Sequence, residues 1–299
     1  MRDDPSVAYV EPDKTVRVTE EQTVPYGIGL IDADTSSTEA GDGAGDVSNV
    51  NAYIINTGVD KNHPDLNVVK HVTFHGQNNA DCNGHGTHVA GTVAARNDNS
   101  AVVGVAPGAP LTGVKVLGCN GFGWTSDVIK EVDWVTANAS KPAIANMSLS
   151  GGASDRLDAA VKRSADSGIF YAVAAGNEGR NACKKSPARA GAGMDNGIMT
   201  AAATNKSDKE ASFSNYGPCV DVWAPGVNVL STWMGGGTKT ISGTSMASPH
   251  VGGRGALYLL THADATPSVV EKQIKADAVA PGTRSKNRDR IERVYSGDY

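Results

Sequence analysis

Three short stretches of this chain carry residue types that do acid–base or nucleophilic chemistry, and glycine frames each of them. Asn83-Gly84-His85-Gly86-Thr87-His88 sets a histidine at the mouth of an apolar, small-residue run. A histidine that opens a helix from a glycine turn is well placed for proton transfer, because its ordinary pKa lies near neutrality. Ser242-Gly243-Thr244-Ser245-Met246-Ala247-Ser248-Pro249-His250 puts Ser245 at the start of the longest apolar helix pattern. Free N–H groups and the helix dipole favour negative charge on an oxygen bound there. Pro249 is tolerated because it falls in the first turn. Ala174-Ala175-Gly176-Asn177-Glu178-Gly179 ends an apolar run in an asparagine between glycines, where a side-chain amide can meet an oxyanion. Each motif also has a plainer reading: a structural histidine, a helix-capping serine, a left-handed turn asparagine. Taken together, a base, a hydroxyl nucleophile and an amide donor are the parts of an acyl-transfer site.

Such parts act only if a frame brings positions 85, 177 and 245 together. Apolar runs at 50–55, 111–117, 143–149, 169–174, 198–203 and 220–223 read as buried strands. The segments 85–95, 125–138, 157–167, 246–260 and 268–278 read as helices; in the second, Val128, Ile129, Val132 and Val135 recur at helical spacing. Strands that are apolar throughout and alternate with helices predict an α/β fold, a three-layer sandwich whose mostly parallel central sheet is covered on both faces. The chemistry of such folds sits at the carboxyl ends of the strands. Residues 25–48 read as loop, and residues 284–299, charged and weakly patterned, as a loose tail.

Composition narrows the function. Of 299 residues, 39% are hydrophobic and 20% charged, enough to bury a core. The net charge of −5 and the lack of a basic stripe argue against a nucleic-acid partner. No apolar run approaches the roughly 18 residues of a membrane helix. The first residues, Met1-Arg2-Asp3-Asp4-Pro5, carry no apolar signal region; either the protein stays inside or the chain lacks its natural beginning. Cys82, Cys119, Cys183 and Cys219 form no CxxC pair, which argues against zinc. They are compatible with two disulfides, the pairing open, or with buried thiols.

In this order, on this frame, the motifs resemble the subtilisin-like serine endopeptidases, most closely the proteinase K and aqualysin branch, from about Val24 to about Pro281. The resemblance implies His85 as general base, Ser245 as nucleophile, and Asn177 as oxyanion donor with the Ser245 N–H. It implies that extended substrate is held between Ser148-Leu149-Ser150-Gly151 and Gly121-Phe122-Gly123. Ala174-Ala175-Gly176 would line the pocket for the residue before the scissile bond. It implies a monomeric, secreted peptidase domain over residues 25–283, with protein or peptide substrates, no catalytic cofactor and a structural calcium. Asp221 is the calcium ligand so implied, with the carbonyls of Asn196 and Ile198. The cysteines pair, on the same resemblance, as Cys82–Cys119 and Cys183–Cys219. Residues 1–24, with Val7-Ala8-Tyr9-Val10-Glu11-Pro12-Asp13, resemble the end of an inhibitory propeptide, cut between Val16 and Val24.

One position departs from the family pattern. The first strand of these enzymes ends in Asp-Thr-Gly or Asp-Ser-Gly; here it ends in Asn56-Thr57-Gly58. Asp60 and Asp65 lie further along in a loop and are poor substitutes. The aspartate accepts the imidazole Nδ1–H and stabilises the imidazolium, whereas asparagine is neutral. An amide NH₂ turned to Nδ1 holds the opposite tautomer, a change that costs ~10⁴ in kcat in a serine protease. The expectation is a folded, strongly impaired endopeptidase, with a peptide-binding protein that no longer cuts as the alternative. Two further departures are Ser150, where the family has glycine, and Arg254, set in an apolar helix where it needs solvent or an acidic partner.

Overall fold

The computed structural model describes Ser6, Pro12 and residues 22–74, 78–98, 100–193 and 195–299. The propeptide-like segment, Ser6 and Pro12 apart, therefore lies outside the described residues as far as Glu21. In chain order the strands are β1 Asn51–Asn56, β2 Val68–Thr73, β3 Leu111–Lys115, β4 Ala143–Met147, β5 Gly151–Gly152, β6 Phe170–Ala174, β7 Lys185–Ser186, β8 Ile198–Thr204, β9 Val222–Pro225, β10 Val229–Trp233 and β11 Gly237–Ile241. The helices are α1 Tyr26–Leu30, α2 His85–Ala94, α3 Thr125–Asn138, α4 Asp155–Asp166, α5 Thr244–Thr261 and α6 Pro267–Asp277.

Successive residues of a strand point to opposite faces, and β1 buries both. Ala52 and Ile54 enter one core with Val89 of α2, Val251 of α5 and Ile274 of α6. Tyr53 and Ile55 enter a second core with Val132 of α3 and Val161 of α4. Seven strands pair in the order β2-β3-β1-β4-β6-β8-β9. Every pairing in this sheet is parallel. The result is the expected three-layer α/β sandwich. No helix among the described residues is long and apolar enough to cross a membrane.

The elements read from apolar runs fall where expected within a few residues. The run at 143–149 leaves the sheet after Met147, so Ser148-Leu149-Ser150 continue beyond the strand end. Several elements escape the apolar reading. β2 is an edge strand with no fully buried residue, Val69 and Lys70 being exposed. The β10–β11 hairpin turns through Gly235 and Gly236, both at positive φ, and its second strand is mostly exposed. α1 contains two glycines, poor helix formers, yet Gly27 is required there: a methyl carbon would lie 2.4 Å from His250 Nε2.

The carboxyl-terminal segment corrects the expectation of a loose tail. Ile291, Val294 and Ser296 are fully buried. The backbone of residues 292–294 exchanges hydrogen bonds with Trp223 of β9 and with Val279. Arg254 is buried and finds the acidic partner it needs: Asp277 at 2.7 Å, with the Tyr299 ring 3.7 Å away and the Tyr295 carbonyl at 2.7 Å. Charge misleads here: Arg284, Lys286, Arg288, Asp289, Arg290 and Glu292 stay exposed, while the Ile291, Val294 and Ser296 set among them are buried and anchor the segment.

Cys82 bonds Cys119 and Cys183 bonds Cys219, the pairing that the resemblance implies. The first bridge closes a span of 37 residues, worth roughly 4 kcal/mol on the chain-entropy estimate. It fastens the loop entering α2 to the turn beyond β3, a link repeated by the Asn83 amide on the Cys119 carbonyl at 2.9 Å.

Candidate active site

Four of the singled-out side chains meet at the carboxyl end of the sheet. Asn56 is the last residue of β1 and is fully buried. His85 opens α2, which packs beside β1 because Gly86 has no side chain: a methyl carbon there would lie 2.0 Å from the Gly58 carbonyl oxygen and 3.2 Å from Asn56 Cβ. His85 Nδ1 lies 2.7 Å from Asn56 Oδ1. Ser245 stands in the first turn of α5, one residue inside the helix start at Thr244. Asn177 follows β6, and its Oδ1 accepts the Thr244 N–H and hydroxyl at 2.8 and 2.9 Å.

The orientation of the Asn56 amide differs from the expectation. Its Oδ1 accepts the Thr57 N–H at 2.9 Å, and its Nδ2 donates to the Ser148 carbonyl at 3.2 Å. A backbone N–H can only donate and a carbonyl can only accept, so these two neighbours fix which end of the amide faces which way. The oxygen is then the atom presented to His85. An amide oxygen accepts only, so Nδ1 carries the proton and Nε2 keeps its lone pair. That is the tautomer a general base needs, not the opposite one.

The Ser245 hydroxyl turns to the Ser148 carbonyl, at a long 3.4 Å, and makes no hydrogen bond to His85. The Ser148 carbonyl is thus shared by Asn56 and Ser245. The Ser148 hydroxyl itself bonds the Ser245 carbonyl at 2.7 Å and the Ser248 hydroxyl at 2.8 Å, tying the end of β4 to the first turn of α5. Beside it, Gly243 leaves a small space: a methyl carbon there would lie 3.5 Å from Asn177 Nδ2 and 3.6 Å from the Ser245 nitrogen. The Asn177 amide nitrogen and the Ser245 backbone nitrogen thus both lie within 3.6 Å of one point.

Burial holds the His85 imidazole below its ordinary pKa, and the charge of Asp81 offsets only part of that. Asp81 is a residue the motif reading missed. Its carboxylate takes the N–H groups of Asn83, Gly84 and Thr87 and the Thr57 hydroxyl, so it caps α2 and joins it to the end of β1. The available signal was an aspartate four residues ahead of a helix start. Asp60 and Asp65 are engaged elsewhere: Asp60 takes the Gly235 N–H and Asp65 the Val102 N–H.

Next to His85 lies a cavity of about 280 Å³. Gly121, Phe122 and Gly123 form one side, Ser148 to Gly151 the other, and Leu117, Val128 and Leu157 the apolar floor. Phe122, which lines it, is 77% exposed. The segment 148–150 has no strand partner among the described residues. Ala174 and Ala175 are buried and do not line this cavity. Gly176 faces Ser150 instead: a methyl carbon on Gly176 would lie 3.2 Å from the Ser150 hydroxyl.

The residues implied for calcium are arranged otherwise. Asp221 Oδ2 accepts the Thr200 N–H at 2.8 Å, and Oδ1 faces the Lys275 ammonium at 3.0 Å. The Asn196 amide bonds the Ala190 carbonyl and the Ile198 N–H. Among the described residues no group of three acidic, histidine or cysteine side chains is set to hold a metal. A hard divalent cation takes about six to eight oxygens. The implied set offers one carboxylate and the carbonyls of Asn196 and Ile198, fewer oxygens than that, and both Asp221 oxygens are engaged, one of them by a cation.

Comparison with known proteins agrees with this geometry. Residues 49–295 match the family model described as the subtilase family. The chain is 43% identical over 294 residues to alkaline serine exoprotease A of Vibrio alginolyticus, covering 93% of this chain and 52% of that protein. It is 45% identical over 282 residues to the extracellular serine proteinase of Thermus sp. (strain Rt41A), covering 90% and 65%. It therefore spans about half to two thirds of the length of these curated relatives. Among solved structures, that of a cold-adapted subtilisin-like serine proteinase superposes with a TM-score of 0.81 at 41% identity, over 91% of this chain and 97% of that one. On its sequence, its sheet order and the meeting of His85, Asn177 and Ser245, this chain belongs to the subtilase family.

Proposed function

We propose that this chain is a serine endopeptidase that hydrolyses peptide bonds through an acyl-enzyme, slowed by the neutral residue at position 56. The observation that supports it most is the fixed Asn56 amide, whose oxygen holds His85 in the productive tautomer. Ser245 Oγ rotates off the Ser148 carbonyl, attacks the substrate carbonyl carbon and gives its proton to His85 Nε2. The new oxyanion takes the Ser245 N–H and an Asn177 amide N–H. On collapse the C–N bond breaks and the leaving amine takes the proton from His85. Water then repeats the sequence, releasing the acid and restoring the hydroxyl. Catalysis of this kind requires no cofactor.

The weak point is the imidazolium. Asn56 accepts its N–H but supplies no charge, and burial already disfavours the charged ring. Turnover is therefore low while acylation remains open. The test is a serine-directed fluorophosphonate together with a chromogenic peptide. The expected result is slow, single labelling at Ser245 with slow hydrolysis. No labelling and no hydrolysis, in this chain and in Asn56→Asp alike, would favour a protein that binds peptides without cutting them.

Substrate lies extended along Ser148-Leu149-Ser150-Gly151 and Gly121-Phe122-Gly123 as an added strand, with an apolar side chain in the 280 Å³ cavity. The residue before the scissile bond enters beside Ala174-Ala175-Gly176, where the Ser150 hydroxyl narrows the mouth. Replacing Ser150 by glycine is expected to raise the ratio of kcat/KM for phenylalanine over alanine at that position by about tenfold, the order expected for one small group in a pocket. Matched peptides differing only there measure it, and an unchanged ratio removes Ser150 from the wall. The peptidase domain in this proposal runs from about residue 25 to the carboxyl end, since the last segment is built into it. The two disulfides support an extracellular, oxidising setting. The first 24 residues are proposed as the end of an inhibitory propeptide, and the working form as a monomer.

A further inference from the structure

Helix α6 carries Lys275 to a point ringed by carboxylates. Its Nζ lies 2.6 Å from Glu271 Oε1, one turn earlier on the same helix, 3.0 Å from Asp221 Oδ1 and 3.3 Å from Asp195 Oδ1. The Glu271 and Asp221 side chains are buried. Their other oxygens hold backbone: Glu271 Oε2 takes the Gly197 N–H at 2.7 Å, and Asp221 Oδ2 takes the Thr200 N–H at 2.8 Å. Lys272 stands 4.0 Å from Asp195 on the outer side. The Gly191 backbone packs close to Asp221 Oδ2 and the Ile198 carbonyl, since a methyl carbon on it would lie 3.4 Å from the first and 2.2 Å from the second. One ammonium thus gathers acids from three segments: α6, the turn before β8 and the residue before β9.

We propose that the Lys275 ammonium takes the place of the calcium implied at Asp221, so that the turn into β8 and the start of β9 are held together without a bound metal. The chemistry matches: an ammonium has three N–H donors and no acceptor, and three carboxylate oxygens face it. The Glu271 and Asp221 carboxylates are buried, and a buried carboxylate is costly without a cation beside it. A divalent ion at Asp221 would have to displace this lysine from two buried partners.

Thermal unfolding of the full chain in excess EDTA and in millimolar calcium tests the proposal, using the parent, Asp221→Asn, Lys275→Met and the double variant. Calcium bound elsewhere cancels when parent and Asp221→Asn are compared. The expected calcium-dependent change in Tm is the same for both. In EDTA, Lys275→Met is expected to lower Tm by about 5 °C, as breaking a buried ion cluster does in a domain of this size. Adding Asp221→Asn to Lys275→Met should recover part of that loss, because it removes one of the carboxylates left without a cation. A calcium-dependent rise in Tm that the parent shows and Asp221→Asn lacks overturns the proposal, as does a Lys275→Met chain that melts in EDTA with the parent. Should Lys275→Met fail to fold, the parent and Asp221→Asn in the two media decide alone.

Discussion

Asn56→Asp raises kcat/KM toward a peptide anilide at neutral pH by about 10²–10³, and not by the ~10⁴ that a wrong tautomer costs. The difference is set by the amide geometry. With Oδ1 held on His85 Nδ1 by Thr57 and Ser148, the ring already carries its proton on the right nitrogen. What the carboxylate adds is charge. A unit charge about 4 Å from the imidazolium, at an effective dielectric of about 20, is worth about 4 kcal/mol. At 1.36 kcal/mol per decade that is close to 10³, and any residual solvent lowers it. A gain at or above 10⁴ would mean that the amide is turned over in solution. The pH profile gives an independent reading. His85 must be neutral to act, and burial now holds its pKa below the ordinary value. A carboxylate at 56 stabilises the imidazolium and raises that pKa. The acidic limb of kcat/KM, which reports the free enzyme, should therefore move to higher pH in Asn56→Asp. A limb that stays in place, or moves down, contradicts the electrostatic account.

The second large effect is the dependence of His85→Ala and Ser245→Ala on what occupies position 56. In a serine-protease triad, removing the serine or the histidine alone costs about 2 × 10⁶ in kcat, as much as removing all three. On the proposed reading, the neutral residue at position 56 has already removed part of that. If Asn56 accounts for about 10²–10³, either alanine variant should lose only about 10³–10⁴ here, and about 10⁶ in the Asn56→Asp background. The residual rate should be the same in both backgrounds, because the oxyanion donors proposed at Asn177 and Ser245 N–H remain. Single-turnover and steady-state rates on one peptide measure the cycle, with fluorophosphonate labelling as control. Equal losses in both backgrounds would show that position 56 and His85 do not act as a unit. Ser245→Ala that still labels would place the reactive hydroxyl elsewhere.

Much of this was legible in the residue order. Apolar runs of strand length alternating with helical periods specified the layers, because a parallel strand buried on both faces must be apolar throughout. The glycine-framed motifs named His85, Asn177 and Ser245, since glycine is what lets backbone come close enough for those side chains to meet. Position 56 was visible as the exception. Less legible were elements whose stability is borrowed from contacts far along the chain. α1 is helical with two glycines because Gly27 packs against His250, more than two hundred residues away. The last sixteen residues read as a tail by charge, yet they pair with Trp223 and enclose Arg254.

The sequence by itself determined which atoms are present: a base, a hydroxyl and an amide donor, with a neutral residue where an acid belongs. Only the tertiary structure decided how that neutral residue is used. An amide has two unlike ends of nearly the same shape, and nothing in Asn56-Thr57-Gly58 says which end faces His85. Ser148, ninety-two positions away, says it by offering a carbonyl to the nitrogen. Asp221 follows the same logic. Its own segment reads as a ligand, and its partner is set by Lys275, which the folding of α6 delivers from a distant part of the chain. Hydrogen-bond polarity and charge pairing are properties of neighbours in space, which the order of residues constrains but does not state.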